Sequence, residues 1–397
     1  VIIVFAAYTW EQRKFSELTE IRSASRVHKE EWKSSGVPFY RSSDVMAALN
    51  GTENEKAFIS EELYEKLTAV SGKLEKGDVL VTGGGSVGKP YIVANNEPLY
   101  TKDADLLWIK NNEYLDPYFV YTFFFSQTFT DYLNSVSHVG TIAHYTITQL
   151  GETPITLPCV SEQQKIGDYF RNLDSLITLH QRKLDKLHKV KRSLLERMFP
   201  RNGANVPEIR FSGFTDAWEQ RKFSDVVATR RGLTYKPSDI RKNGVRVLRS
   251  SNIAEDSFVL SDEDVFVVRE AVNIDCVRAN DILITAANGS SRLVGKHTII
   301  SGIPEESAVH GGFMLLGTTK EPHFVNASMG SSWYRRFIEL FVAGGNGAIG
   351  NLNKNDLDNQ DIAIPSEKEQ KKIGSFFRQL DHLITLHQRK STLSIIA

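Results

Sequence analysis

A glycine-rich stretch in the first half of the chain has the spacing of a phosphate-binding loop. Residues 81–90 read VTGGGSVGKP and follow an apolar run. Gly83 and Gly88 could present backbone N–H groups to phosphates, and Lys89 could bind the terminal phosphates of a nucleotide. The motif also needs a Ser or Thr hydroxyl on the magnesium ion after the lysine, and Pro90 occupies that position. The other interpretation is a strand followed by a glycine-rich turn, which needs no ligand.

A related stretch in the second half of the chain argues against a nucleotide site. Residues 288–297 read NGSSRLVGKH, so Ser290 replaces the first glycine and His297 follows Lys296. Both stretches keep an Asp, an apolar strand, a turn and the tripeptide Val-Gly-Lys. Because neither keeps the metal-binding hydroxyl, we interpret Val-Gly-Lys as part of the framework of the fold.

Other catalytic motifs are weak in this sequence. LDPYFVY at 115–121 approaches the base-binding loop of adenine methyltransferases but has a single proline, and Asp116 as N-cap with Pro117 in the first helical turn explains it without chemistry. The two cysteines, Cys159 and Cys276, form neither a CxxC pair nor a Cys/His cluster, so we expect no metal site and no disulfide framework. We therefore predict a chain without catalytic residues. The alternatives are a stand-alone DNA-modifying enzyme with its own cofactor site and a coiled-coil scaffold.

Composition leaves the class of partner open. The 397 residues include 48 basic and 48 acidic side chains, so the net charge is zero and any basic surface must be local. The opening VIIVFAA is too short to span a bilayer and lacks the features of a signal peptide. The two isolated cysteines, which give no disulfide framework, predict a protein of the reducing cytoplasm.

The sequence contains an internal repeat that spans most of its length. WEQRKFS occurs at 10–16 and again at 218–224, and LITLHQRK occurs at 176–183 and again at 383–390, which gives offsets of 208 and 207 residues. A period of this length indicates two homologous domains, each followed by a homologous connector. The connectors are nearly identical, whereas the domains between them have diverged. Two modules therefore share a framework and differ in surface detail.

The connectors have the pattern of coiled-coil helices. The first is predicted over 161–199, with Ser161 as candidate N-cap and Pro200 ending the run. Eight of the ten a and d positions of its heptads are apolar, and His180 and its copy His387 are predicted to be polar, register-setting residues on this seam. The predicted apolar seam comprises Ile166, Phe170, Leu173, Ile177, Leu184 and Leu187 in the first copy, and Ile373, Phe377, Leu380 and Ile384 in the second.

Together these features predict a mixed α/β (α+β) chain with pseudo-two-fold organisation. We expect recognition domains at 1–158 and 201–364, a central coiled-coil helix at 159–200 and a shortened C-terminal helix at 365–397. Two long helices that follow homologous domains can pair antiparallel and hold the domains at opposite ends of a rod. Such spacing suits the reading of two DNA half-sites.

The repeat, the paired connectors such as SEQQKIGDYFRNLDSLITLHQRK, and FTDAWEQRKFSD resemble the specificity subunits of type I restriction–modification systems. The resemblance covers nearly the whole chain. It implies two target-recognition domains that read a split, asymmetric double-stranded DNA target, and an antiparallel coiled coil that docks two methyltransferase subunits. Restriction subunits complete the full complex. It also implies that S-adenosylmethionine, ATP and magnesium belong to partner subunits and that this chain holds no cofactor.

Local charge indicates where DNA would bind. Between Arg221 and Arg249 there are nine basic and two acidic residues, whereas residues 10–44 contain seven basic and six acidic residues. Lysine and arginine so clustered neutralise phosphates, although a solvated charged face is the other interpretation. The candidates are Arg230, Arg231, Lys236, Arg241, Lys242, Arg246 and Arg249, with Arg292 and Lys296 nearby, and in the first half Arg22, Arg26, Lys29, Arg41 and Lys89.

Two divergent, glycine-containing loops carry side chains suited to base edges. They are HVGTIAHYTITQ at 138–149 and GGNGAIGNLNKND at 344–356. Side chains that donate and accept hydrogen bonds distinguish bases, but the same residue types also cap turns. The candidates are His138, His144, Tyr145, Asn346, Asn351 and Asn353.

Overall fold

The repeated WEQRKFS forms the same strand pair in both halves of the computed structural model. Glu11–Lys14 pairs antiparallel with Pro154–Leu157, with Glu11 opposite Leu157. Glu219–Lys222 pairs in the same way with Asp361–Ile364, with Glu219 opposite Ile364. The chain divides into two compact units, Val1–Thr178 and Leu179–Ala397. The structure describes residues 10–103, 105–136, 144–201, 203–342 and 350–396.

The first unit contains nine described strands and six helices that precede the connector. The strands are β1 (Glu11–Lys14), β2 (Ile21–Ser23), β3 (Val37–Tyr40), β4 (Ala57–Ile59), β5 (Val79–Thr82), β6 (Pro90–Ile92), β7 (Tyr100–Thr101), β8 (Leu106–Ile109) and β9 (Pro154–Leu157). The helices are α1 (Phe15–Leu18), α2 (Ser42–Asn50), α3 (Glu61–Ser71), α4 (Pro117–Phe123), α5 (Gln127–Val136) and α6 (Ile147–Glu152), followed by the connector α7 (Val160–Arg197).

Two sheets form the framework of the first unit. The strands β2-β8-β5-β6 make an antiparallel sheet, and β4-β3-β7 make a second sheet with one parallel pair. The continuous apolar run of β5 is buried at every position, which is typical of a strand covered on both faces. Asp116 caps α4 by accepting hydrogen bonds from the backbone N–H groups of Tyr118 and Phe119, and Pro117 lies in the first turn. The interpretation of LDPYFVY as a helix start is confirmed.

The second unit repeats this framework with additional short strands. Its strands are β10 (Glu219–Lys222), β11 (Ala228–Arg231), β12 (Ile240–Arg241), β13 (Val245–Leu248), β14 (Ile253–Ala254), β15 (Ser257–Phe258), β16 (Val265–Val267), β17 (Ile282–Thr285), β18 (Ala287–Asn288), β19 (His297–Ile299), β20 (Ala308–His310), β21 (Met314–Thr318), β22 (Gly350–Asn351) and β23 (Asp361–Ile364). Its helices are α8 (Phe223–Val226), α9 (Pro322–Met329), α10 (Ser332–Phe341), α11 (Lys354–Asp358) and α12 (Glu367–Ile396).

The sheet order of the second unit matches that of the first. The strands β11-β21-β17-β19 form the antiparallel sheet, and β12-β16-β13-β20 form the other, in which β13 and β20 are parallel. Mostly antiparallel sheets combined with helices make each unit an α+β structure, as predicted. The units differ after β3 and β13: the first continues into helix α2, whereas the second forms a short 3-10 turn and the β14–β15 hairpin.

The connector helices α7 and α12 pair antiparallel within the second unit. His180 Nδ1 lies 3.2 Å from His387 Nδ1, and Lys191, further along α7, lies beside Asp381, which precedes His387 on α12. The two ring nitrogens lie within hydrogen-bond distance of each other, and the ring centroids are 5.3 Å apart. The histidines thus face each other on the seam, where the heptad pattern predicted them.

All four apolar residues of the predicted seam of α12 belong to the hydrophobic core. Ile373, Phe377, Leu380 and Ile384 are buried in one cluster, against which Leu184 and Leu187 of α7 pack while half-buried. Ile166 packs against the core of the first unit, and Phe170, Leu173 and Ile177 are half-buried there. One expectation is corrected: α7 begins at Val160, so Ser161 is not the N-cap. The carbonyl of Cys159 accepts the N–H groups of Glu162 and Gln163 instead.

The substitution Leu184→Glu is expected to destabilise the second unit by about 2 kcal/mol. It places a carboxylate against the apolar cluster that contains Leu380 and Ile384, and burial of a charge without a partner is unfavourable. Chemical denaturation of the full chain measures the change. Lys183→Glu, at the exposed neighbouring position, is the control, and an equal loss in both variants would contradict the described packing.

The β14–β15 hairpin contacts both connector helices. Lys191 Nζ of α7 lies 2.9 Å from Asp256 Oδ2 at the hairpin tip and 2.8 Å from Asp381 Oδ1 of α12, and its side chain is 13% exposed. Burial lowers the pKa of Lys191, but the Asp381 and Asp256 carboxylates outweigh that effect, so the net pKa is raised and the lysine is charged. Gln388 adds a 3.2 Å bond to Glu255. The hairpin therefore joins the sheets of the second unit to the connector pair.

The segment that precedes β10 packs on the start of α12. Arg210 donates two 2.8 Å bonds to Glu369, which is fully buried, and Lys372 lies 5.0 Å from the Phe211 ring centroid. Glu162 is the copy of Glu369 at the start of α7. Its Oε2 is buried without a hydrogen-bond partner among the described residues. The same carboxylate thus has an arginine partner in one copy and none in the described part of the other.

Across the described ranges, the helices include none that is both long enough and apolar enough to cross a bilayer.

Candidate nucleic-acid interface

The glycine-rich stretch of the first unit is a hairpin turn between β5 and β6. Gly88 N–H donates to Thr82 O at 2.8 Å, Lys89 N–H donates to Thr82 Oγ1 at 2.8 Å, and β6 then runs back antiparallel to β5. A phosphate-binding loop would instead lead into a helix N-terminus. Lys89 Nζ lies 5.7 Å from the Phe125 ring centroid, so the lysine packs on an aromatic face. The stretch is a framework turn and not a phosphate-binding loop.

The Val-Gly-Lys tripeptide is repeated because its glycine is sterically required. Gly88 has φ +76° and a Cβ there would lie 2.6 Å from Phe129 of α5. Gly295 has φ +83° and a Cβ there would lie 2.5 Å from Ile338 of α10. Both glycines adopt the left-handed conformation where a helix packs against the turn, so a larger residue would clash.

A groove of about 770 Å³ opens where the two main sheets of the second unit meet. Its walls are drawn from segments 233–240 after β11, 249–251 after β13, 287–289 after β17 and 311–314 between β20 and β21. The ends of β11, β13, β17 and β20 and the start of β21 therefore converge on one opening. Loops held by strand ends in this way are common binding elements, because the sheets fix their position.

Close backbone contacts hold these walls together. A Cβ on Gly232 would lie 2.0 Å from Gly311 O, so the two segments approach each other as closely as glycine permits. Leu233 N–H donates to His310 O at 2.7 Å, and Gly311 N–H donates to Leu248 O at 2.8 Å. The groove is consequently a preformed feature of the fold.

His310 lies beneath the groove and is held neutral. It is fully buried, and burial lowers its pKa to about 4. Its Nε2 lies 3.2 Å from the carbonyl of Arg230, which can only accept, so Nε2 carries the proton. Its Nδ1 is buried without a partner among the described residues. A second proton on Nδ1 would therefore place an unpaired N–H in the core.

Several predicted DNA-binding residues are free to meet phosphates or bases. Within the described part of the chain, the following side chains make no hydrogen bond or ion pair: Arg231, Lys236, Lys242, Arg249, Arg292 and Lys296 in the second unit, and Arg26 and Lys29 in the first. Arg249 lines the groove, and Lys236 lies between the lining residues Tyr235 and Pro237. Arg249 is therefore an unpaired cation on the wall of the groove, and unpaired cations of this kind can bind phosphates.

Other predicted arginines have partners within the fold of the second unit. Arg230 lies 3.6 Å from Asp281, which is 3% exposed, and donates to the carbonyl of Cys276. Arg246 pairs with Asp264, and Arg241 donates to nearby backbone carbonyls such as Ser238 O at 2.7 Å. The basic stretch predicted as one patch is thus divided between structural ion pairs and free cations.

The first unit shows the same division. Arg41 pairs with Asp44 at 3.0 Å and lies over the Trp32 ring, and Arg22 pairs with Glu20 at 2.6 Å. Arg41 is the repeat counterpart of Arg249 in the aligned sequences YRSS and LRSS. The arginine at this position is therefore held in the first unit and free in the second.

The predicted loop residues lie in different environments. The His144 ring approaches Gly84, with Nδ1 3.7 Å from a Cβ built there, and its counterpart Asn351 pairs with Ala287 beside the groove. His144 and Asn351 thus lie next to the glycine-rich turns. Asn353 caps α11 by accepting the N–H of Asn355, and His138 and Asn346 lie outside the described residues.

The expectation for Tyr145 is corrected. Its side chain is 1% exposed, and its hydroxyl bonds Thr153 inside the core of the first unit. A buried ring cannot reach a base edge, so we remove Tyr145 from the candidate contacts. Its position in the turn region suggested exposure, but its aromatic ring packs against Phe129.

Two aromatic residues, Tyr235 and Phe313, line this groove, and neither was predicted from the sequence as a site residue. Phe313 lines it and is 74% exposed. The available signal was the run HGGFML at 310–315, in which two glycines precede an aromatic residue and a strand. Within the described ranges, no group of three or more His, Cys, Asp or Glu side chains is placed to hold a metal ion.

Comparisons with known proteins cover both halves of the chain. A family model described as "Type I restriction modification DNA specificity domain" matches residues 8–189 and 215–393. A protein of Haemophilus influenzae named as a type I restriction enzyme specificity subunit is 29% identical over 42% of this chain, and the match spans 43% of that relative. The specificity subunit of the type I restriction enzyme MjaVIII of Methanocaldococcus jannaschii is 20% identical over 82% of this chain and 77% of its own length.

Solved structures share the fold. The crystal structure of a type I restriction–modification S subunit from M. genitalium matches with a TM-score of 0.56 at 15% identity, covering 100% of this chain and 95% of that chain. A chain from a structural study of the assembly and conformational transition of the type I restriction–modification system matches with a TM-score of 0.54 at 16% identity, covering 98% of this chain and 94% of that chain.

Proposed function

The chain belongs to the type I restriction modification DNA specificity family, and from that premise we propose that it is the DNA-recognition subunit of a type I restriction–modification system. It recognises DNA sequence and performs no catalysis itself. Modification and cleavage belong to its partner subunits. The work of this chain is to bring them to a chosen DNA sequence in the cytoplasm.

The groove of the second unit is the observation that best supports DNA recognition by residues of this chain. It combines a preformed opening at the ends of several strands with the free guanidinium of Arg249 and the neighbouring Lys236. Cations bind phosphates without regard to sequence, whereas arginine in a groove can also bond the O6 and N7 atoms of guanine. Positioning and base reading can therefore occur on one surface.

Two related units support a bipartite target. The units have the same sheet order but differ at the residues that face solvent, as the held Arg41 and the free Arg249 illustrate. Each unit therefore reads its own short block of bases, and the target is asymmetric.

The connector helices provide the docking surface for partners. We expect two methyltransferase subunits to bind around the helical connectors and restriction subunits to complete the complex. The nearly identical sequences of the two connectors support two equivalent docking sites. S-adenosylmethionine, ATP and magnesium act in those partners, and this chain holds no cofactor.

A genome-wide map of methylated bases tests the proposal. Cells that express this chain with its methyltransferase subunits are compared with cells that lack this chain. Two short blocks separated by a fixed, unspecified gap support the proposal, and a single contiguous motif contradicts it. Binding of ATP or S-adenosylmethionine by the purified chain at micromolar concentration would favour the alternative of a stand-alone enzyme.

The substitution Arg249→Ala is expected to weaken specific DNA binding by about tenfold, because one good side-chain contact with a base or phosphate is worth about that factor. The change should affect only one block of the bipartite target. Competition binding with the mapped target and with altered blocks measures it. Arg336→Ala, at an exposed position of α10 that does not line the groove, is the matched control. Equal loss in both variants would exclude Arg249 as a base contact.

A further inference from the structure

Phe313 is an exposed aromatic side chain on a rigid turn. Its ring is 74% exposed although it lies at the mouth of the groove. Its carbonyl accepts the N–H groups of Ala286 and Ala287 at 2.9 and 3.0 Å, and Met314 N–H donates to Gly311 O at 2.8 Å. The turn that carries the ring is thus fixed before any ligand binds. Ile240, which is 43% exposed, lines the same groove, and exposed apolar side chains grouped in one groove indicate a contact site.

The surroundings of Phe313 suit a base pair flanked by phosphates. Arg249 and Ser250 form another wall of the groove, and a Cβ on Gly311 would lie 3.7 Å from the side chain of Arg249. Asn288 lies in the same groove, where its amide donates to Ser250 Oγ at 2.9 Å. An apolar ring beside a free cation complements the major groove of DNA, where apolar and charged groups lie close together.

The corresponding position of the first unit is polar. Leu106 and Met314 occupy equivalent positions, since Leu106 pairs with Thr82 and Met314 pairs with Thr285. The residue before each is therefore Asp105 in the first unit and Phe313 in the second. Asp105 accepts a 2.6 Å bond from Lys102. The residue that precedes this strand is thus charged in the first unit and apolar in the second.

We propose that Phe313 recognises an A·T pair by apolar contact with the C5 methyl group of thymine, in the block of the target read by the second unit. Thymine alone among the unmodified DNA bases presents a methyl group in the major groove, and apolar side chains recognise it there. This inference rests on the proposed function, because it names the chemistry that one residue adds to DNA reading.

Replacing single thymines with deoxyuridine tests the contact, because only the C5 methyl group is removed. The probe is a duplex that carries the mapped target, and the protein is the full chain in complex with its methyltransferase subunits. One deoxyuridine position in one block is expected to weaken binding by about fivefold, the effect of one buried methyl group. Phe313→Ala removes that sensitivity, whereas Phe313→Leu retains part of it.

Leu340→Ala is the matched control, since Leu340 is 67% exposed on α10 and does not line the groove. It should keep the wild-type response to deoxyuridine. The proposal is overturned if the wild-type complex binds its target but ignores every deoxyuridine, or if Phe313→Ala keeps the wild-type response. It is also overturned by a target block without an A·T pair. In these cases the proposed function stands. A wild-type complex that does not prefer its target over a scrambled duplex overturns both.

Discussion

Replacing Arg210 with alanine is expected to destabilise the second unit by about 3 kcal/mol, the lower end of the range for breaking a buried ion pair. The substitution leaves the fully buried Glu369 carboxylate without its two 2.8 Å bonds. The lower end applies because the Arg210 side chain remains 13% exposed, so water can partly replace it. Urea denaturation of the full chain, monitored with a spectroscopic probe in the second unit, measures the loss in the free energy of unfolding.

The repeat supplies an internal control for this prediction. Glu369→Gln should also destabilise the protein, since it removes a charge that has an arginine partner. Glu162→Gln changes the same residue at the same position of the other connector, where Oε2 has no partner among the described residues. That change should be neutral or stabilising. If both glutamine variants lose the same stability, the pairing with Arg210 is not what stabilises Glu369.

Lowering the pH from 7 to 5 is expected to reduce the stability of the second unit by about 2 kcal/mol through His310 alone. The folded pKa of His310 is about 4, well below the usual value of 6.5 for an unfolded chain. Between these values the unfolded state binds the proton and the folded state does not, so acid favours unfolding. Above about pH 6.5 His310 is neutral in both states and the free energy of unfolding keeps its full value. At pH 4 that free energy is lower by about 3 kcal/mol.

His310→Gln isolates this effect. A glutamine amide can donate to the Arg230 carbonyl as Nε2 does, but it does not titrate. Burial also lowers the pKa of His297, so the wild-type protein loses further stability over the same range. The informative quantity is therefore the difference between the two proteins at pH 7 and at pH 5. Parallel pH profiles would show that His310 is not the group responsible.

The elements that depend on local sequence could be predicted. The heptad pattern identified α7 and the facing His180 and His387, and Asp116 with Pro117 marked the start of α4. The two Val-Gly-Lys stretches predicted a framework turn after an apolar strand, and residues 83–89 form the turn between the antiparallel strands β5 and β6. In each case the physical cause lies within one turn or one helical face.

The sequence could not show which basic residues form structural ion pairs and which remain unpaired, because the ion pairs join residues distant in sequence. Arg230 is held by Asp281 and Arg246 by Asp264, and nothing near either arginine indicates these partners. The exposure of Tyr145 and of Phe313 could not be predicted from the sequence either. Both are aromatic residues near glycine-containing turns, yet the first is 1% and the second 74% exposed. Only the packing of helices against the turns decides which ring is covered.

The contact of Lys191 with the β14–β15 hairpin limits which domains can replace the one between β10 and β23. A recognition cassette inserted between β10 and β23 would have natural boundaries, since that strand pair has the same register as the pair in the first unit. The cassette would replace Asp256 but leave Lys191 and Asp381 in the recipient scaffold. A foreign domain without an acidic hairpin tip would leave Lys191 with one carboxylate instead of two. Compatible cassettes are therefore those that carry an acid at this position, because they restore both ion pairs of Lys191.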